Sequence, residues 1–170
     1  MISRRVALFG AGGAALMLAG CQQEVPLDGT RPLLDVMDAV PEVSRMRAAI
    51  RRAGLDEMLS GPGPFTVFAP SNTVWNTLPQ PVRDGNPDAI RAFIAHNRLL
   101  TSALEARREQ GVRMITGTEV RLVGGTPQAP RLQVAREGQP QGGSASITRG
   151  NILASNGVLH VIDGVLLPSA

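Results

Sequence analysis

The sequence has no tyrosine, a single cysteine, a single tryptophan, four phenylalanines and two histidines, and all 17 of its basic residues are arginine. Without lysine or tyrosine, only the two His, the Cys and the amino terminus titrate between about pH 5 and pH 12. The isoelectric point of 10.8 is therefore set by a small surplus of Arg and does not describe a basic surface. Taking Arg4 and Arg5 from the 17 leaves 15 Arg against 14 acids, and the C-terminal carboxylate brings the remainder close to neutral. A near-neutral chain this poor in aromatic rings offers neither a phosphate-tracking field nor a stacking platform, so nucleic acid is not expected as a partner.

The chemistry of catalysis is equally sparse. No intrachain disulfide can form from one Cys, so the core must hold the domain together alone. His96 and His160 are the only imidazoles, and Asp56 and Asp163 fit no metal-loop spacing. No dinucleotide-binding glycine pattern, phosphate loop or nucleophile elbow occurs. No cofactor and no enzymatic activity are expected.

What is present begins with an export signal. Arg4 and Arg5 precede an apolar run from Val6 to Leu18 that is too short and too rich in Gly and Ala for a spanning helix. Leu18-Ala19-Gly20-Cys21 resembles the lipobox of bacterial lipoproteins, in which the Cys is diacylglycerated and becomes the new N-terminus. Two acyl chains suffice for durable anchoring where one does not. Ser3-Arg4-Arg5 also resembles a twin-arginine export start, although Ala7 stands where that motif prefers Phe. We expect a signal peptide over 1–20, a lipid-anchored tether over 21–32 and one folded domain over 33–168. That protein would be exported and anchored through Cys21 at the cell envelope, on the periplasmic face or the cell surface.

Within the domain the first half has helical spacing. Val43, Met46, Ala49, Ile50 and Ala53 form one stripe, with Arg45, Arg47, Arg51 and Arg52 facing away. That basic face reads as solvated, with anionic lipid headgroups as the alternative contact. Gly54 suits a helix C-cap, and Leu55, Met58 and Leu59 begin a second short turn. Phe65 to Ala69 reads as a strand, closed by Pro70. Ser71 or Asn72 suits the cap of a turn carrying Val74, Trp75 and Leu78, with Trp75 in the core. Asn86-Pro87-Asp88 opens a helix whose Ile90, Phe93, Ile94 and Asn97 share a face. After Glu109, short β-prone runs separated by Gly read as antiparallel hairpins. The run entered at Asn156-Gly157 and stopped by Pro168 is apolar enough to need cover on both faces, which places it inside a sheet. Helices first and strands later predict an α+β fold.

Two stretches then carry a resemblance. Thr66-Val67-Phe68-Ala69-Pro70-Ser71-Asn72 and Asn156-Gly157-Val158-Leu159-His160-Val161-Ile162-Asp163 resemble, in order, the two signature blocks of the fasciclin domain family. The resemblance implies helices packed on a β-wedge or sandwich of mostly antiparallel strands with the C-terminal strand interior. By the family pattern that strand runs straight through Asp163-Gly164 to Pro168, with a bulge at Gly164 allowed. It also implies fold-defining, hydrogen-bonded roles for His96 and His160, and a shared structural or interaction role for Thr66, Phe68, Pro70, Asn72, Asn156, Gly157 and Asp163. Two departures bear on function. Ala95 replaces the Tyr of the Tyr-His pair that ends a helix in the family, and Asn151 replaces the Asp that precedes an Ile ahead of the second block. Animal-type integrin recognition is therefore not implied. What is implied is non-enzymatic adhesion or binding to an envelope or extracellular protein. The alternative is carriage of a hydrophobic small molecule such as a carotenoid, against which the scarcity of aromatics argues.

Overall fold

The structure, a computed structural model, describes residues 28–168 apart from 128, 137 and 138. The expected signal peptide and acylated Cys21 lie outside the described residues. The described residues open with three short helices, α1 (Leu33–Asp38), α2 (Ser44–Arg52) and α3 (Asp56–Ser60), followed by strand β1 (Phe65–Pro70). Two further short helices, α4 (Gln80–Asp84) and α5 (Pro87–Arg91), lead to β2 (Ile94–His96), then α6 (Thr101–Ala106). The rest is sheet: β3 (Val112–Arg113), β4 (Glu119–Gly125), β5 (Pro130–Arg136), β6 (Gln139–Ala154) and β7 (Gly157–Ile162).

The seven strands lie in the order β2-β1-β7-β6-β5-β4-β3. Every pairing is antiparallel except that of β1 with β7, which is parallel. The two ends of the sheet also meet, through an Ala95–Met114 bridge and an Ile115 N–H donating to the Ile94 carbonyl at 2.8 Å. Each edge strand thus covers the other, leaving little open edge for unwanted pairing. Every residue of β1 and β7 is buried. Their runs, apolar except for Thr66 and His160, serve two faces at once, with α1 against β6 and β7 on one side. The core continues through Met46, Ile50, Leu59, Trp75 and Phe93. The α+β fold expected from the order of elements is the fold observed.

Four local expectations are corrected. The last strand does not run to Pro168: β7 stops at Ile162, opposite Pro70, where β1 runs out of partners. Ser71 N–H makes the last bond, to the Ile162 carbonyl at 2.9 Å. Asp163 then turns the chain by exchanging bonds with the backbone of Ser146, so that Gly143 N–H donates to Leu167 instead. The helix opened by Asn86 does not extend past Arg91. Its expected continuation, Ile94 to His96, is strand β2, because β1 takes up this backbone, with Phe68 N–H donating to the Phe93 carbonyl at 2.9 Å.

Arg47 does not face water. It is 8% exposed, with Nη1 donating to Asp56 at 2.7 Å and Nε lying 3.1 Å from Asp38 Oδ1. The Nε–H has no hydrogen-bond partner among the described residues, so the Asp38 contact is Coulombic only. This guanidinium ties α1, α2 and α3 together. Finally, residues 28–31, within the expected tether, lie along the sheet: Asp28 bridges Leu153, and Ser155 N–H donates to the Arg31 carbonyl at 2.8 Å.

Candidate interaction site

The loop from His96 to Thr101 crosses the end of β1 and β7 with little regular structure, yet three side chains from the sheet fix it. Thr66, on β1, is fully buried. Its hydroxyl donates to the Asn97 carbonyl at 2.7 Å and accepts from Leu99 N–H at 2.9 Å. That grip holds Asn97 at φ 83°, a conformation that Asn tolerates better than most residues. His160, on β7, is also fully buried and stacks on Phe68, ring centroids 5.4 Å apart. Its Nδ1 accepts from Asn151 N–H at 3.3 Å, so Nε2 carries the proton and donates to the Leu99 carbonyl at 2.7 Å. Burial holds this imidazole below its ordinary pKa, and the bond to Leu99 opposes that only in part. Asn151 completes the set. Its Oδ1 accepts from Thr101 N–H at 2.8 Å, and its amide donates to the Thr101 hydroxyl at 2.9 Å.

Other motif residues do comparable work elsewhere. Asn156 Oδ1 accepts from Leu33 N–H at 2.8 Å, and its amide donates to the carbonyls of Leu59 and Gly61, both at 2.8 Å. Gly157 follows where β1 passes so close that a Cβ would strike the Phe65 carbonyl. Asn72 does not cap its own turn. It caps α2, accepting from Arg45 N–H at 3.1 Å and donating to the Pro41 carbonyl at 2.8 Å. Pro70 closes β1, and Asp163 turns the chain after β7. These residues are framework, holding backbone and turns in place.

His96 is different. It is exposed, lies against Phe65 with ring centroids 5.9 Å apart, and its ring makes no hydrogen bond among the described residues. With Asn97 and Leu99 it forms one wall of a cavity of about 240 Å³. The turn after α6 supplies Arg107 and Gln110, and the β3–β4 hairpin supplies Val112, Arg113 and Glu119. The Glu119 carboxylate is already engaged by Arg121 Nε at 2.6 Å. Arg107 and Arg113 are exposed and have no ion-pair partner among the described residues. Among the same residues no group of three metal-ligating side chains converges. The motifs pointed to His96 but not to Arg107, Gln110 or Arg113, since the cavity joins three segments that no local pattern links.

The family model for the fasciclin domain matches residues 41–168. Human stabilin-1 is 29% identical over a stretch covering 93% of this chain but 6% of stabilin-1. Pig transforming growth factor-beta-induced protein ig-h3 is 29% identical over 83% of this chain and 20% of its own length. Protein sll1483 of Synechocystis is 30% identical over 83% of this chain and 76% of its own. The chain thus spans a small part of the two animal relatives and most of the cyanobacterial one. Among solved structures, a FAS1 domain pair from the insect cell adhesion molecule fasciclin I superposes with a TM-score of 0.64 at 14% identity. That match covers 82% of this chain and 51% of the pair.

Proposed function

This chain belongs to the fasciclin domain family, and on that footing we propose that it is a non-enzymatic interaction module, held at the bacterial cell envelope by an acylated Cys21, that binds an envelope or extracellular protein. Its relatives include an insect cell adhesion molecule by structure, which supports a binding role for the domain. The observation that carries the reading is the division of labour between the two histidines. Both ring nitrogens of the buried His160 are spent on holding backbone, so no imidazole is left in a closed site for proton transfer. The exposed His96 stands instead on a rigidly fixed loop beside a cavity lined mostly by charged and amide side chains. Such a surface suits contact with another polar surface. It does not suit the alternative, a polyene, which needs a long apolar slot.

The test is crosslinking on intact cells of the native host, followed by identification of what the domain has captured. A discrete protein partner, lost when the gene is deleted together with aggregation or surface attachment, is the expected result. If no protein is crosslinked and the deletion leaves attachment unaltered, the reading fails.

A further inference from the structure

We propose that the cavity beneath the His96 loop receives an acidic side chain of the protein partner, its carboxylate held between Arg107 and Arg113. This rests on the interaction reading above and names the chemistry that the partner must bring. Charge comes first. The single carboxylate in the wall, Glu119, is neutralised by Arg121, and the nearby Arg108 is paired with Glu105 at 3.0 Å. The two arginines that line the cavity have no such partner among the described residues. A guanidinium matches a carboxylate as a planar fork and is only weakly hydrated, so exposed and unpaired arginines at one cavity favour an oxyanion.

Shape then selects among oxyanions. Leu99 and Val112 are nearly buried yet reach the wall, giving an apolar floor under a polar rim. A Glu or Asp side chain brings methylene groups for that floor, whereas inorganic phosphate brings none. The site is also built before anything binds. Thr66 and His160 fix the backbone of Asn97 and Leu99 in its wall. A rigid wall loses little freedom on binding, which favours measurable affinity for a short peptide.

A short polyglutamate peptide, the matching polyglutamine peptide and inorganic phosphate would each be titrated into the domain, with backbone amide shifts read by NMR. The proposal expects the glutamate peptide to move Asn97, Gly111 and Val112, to weaken as salt is raised, and to surpass phosphate in affinity. Glutamine should leave these amides still. Because both arginines are exposed, the R107Q/R113Q double variant should fold normally and bind the peptide at least about tenfold more weakly. R51Q, on α2, should bind as the parent does. Equal binding by the double variant, or shifts centred elsewhere, would overturn the proposal. So would phosphate matching the peptide, because the cavity would then be a free-anion site. Failure of the peptide with a crosslinked envelope partner retained would sink this inference and leave the interaction reading standing; peptide binding with no partner captured would do the reverse.

Discussion

At the scale of single residues, His160 shows how completely surroundings assign a role. In the unfolded chain its imidazole titrates near 6.5, while in the fold burial keeps it neutral to lower pH. A proton added to Nδ1 would also displace the bond from Asn151 N–H. Below the unfolded value the unfolded state therefore binds more protons than the folded one, and stability falls as pH falls. Above it, this contribution is constant. The slope due to one such group is at most about 1.4 kcal/mol per pH unit. Urea melts of the parent and of His160→Gln across about pH 5 to 8 test this. The parent should lose stability through the acid half of the range. The variant, less stable throughout because it lacks the stack on Phe68, should lose less; an equal slope in both would assign the effect to other groups. His96 carries the same side chain in the open, against Phe65. Sequence placed both in fold motifs, and only packing separated them.

Among elements, the notable economy is in how helices are begun. Of the described helices, α5 alone is capped by its own N-cap side chain, Asn86, as the Asn-Pro-Asp signature foretold. The starts of α1, α2 and α6 are met by Asn156, Asn72 and Asn151, each from a distant segment. Helices this short are unstable alone, so they form only when the sheet delivers their caps. Asn156→Ala removes one cap and leaves the carbonyls of Leu59 and Gly61 without their donor, and should cost about 2–4 kcal/mol. Asn156→Asp keeps the acceptor for Leu33 N–H but turns a carboxylate oxygen toward those two carbonyls, and should be no better than Ala. Chemical denaturation ranks them, and an Asp variant as stable as the parent would show that the donor contacts carry little weight. These caps were illegible beforehand because a remote cap has no sequence spacing; Asn72, read locally, suggested its own turn.

For the molecule as a whole, the decisive feature is that β7, completed only near the end of the sequence, sits between β1 and β6. The parallel β1–β7 pair joins residues on either side of α4 to α6 and the hairpin region, so the central pairing of the sheet closes late. A chain ending at Asn156 would keep most of the residues yet split the sheet between β1 and β6. It should show no cooperative thermal transition by circular dichroism. A sharp melt from that fragment would mean that the remaining strands pair without the last one.

What the sequence determined by itself is the identity of the fold. Two apolar strand blocks with fixed polar partners, the start of α5, the inward stripe of α2 and the interior position of the last strand all follow from local periodicity and propensity, which the chain carries wherever it goes. What only the tertiary structure decided lies where distant segments compete for the same backbone. β1 drew Ile94–His96 out of a helix and ended β7 opposite Pro70. Asp38 and Asp56 drew Arg47 inward. The loop after β2, the turn after α6 and the β3–β4 hairpin meet around one cavity. Hydrogen bonds and charges are satisfied by whatever arrives in space, and the order of residues records that arrival only indirectly.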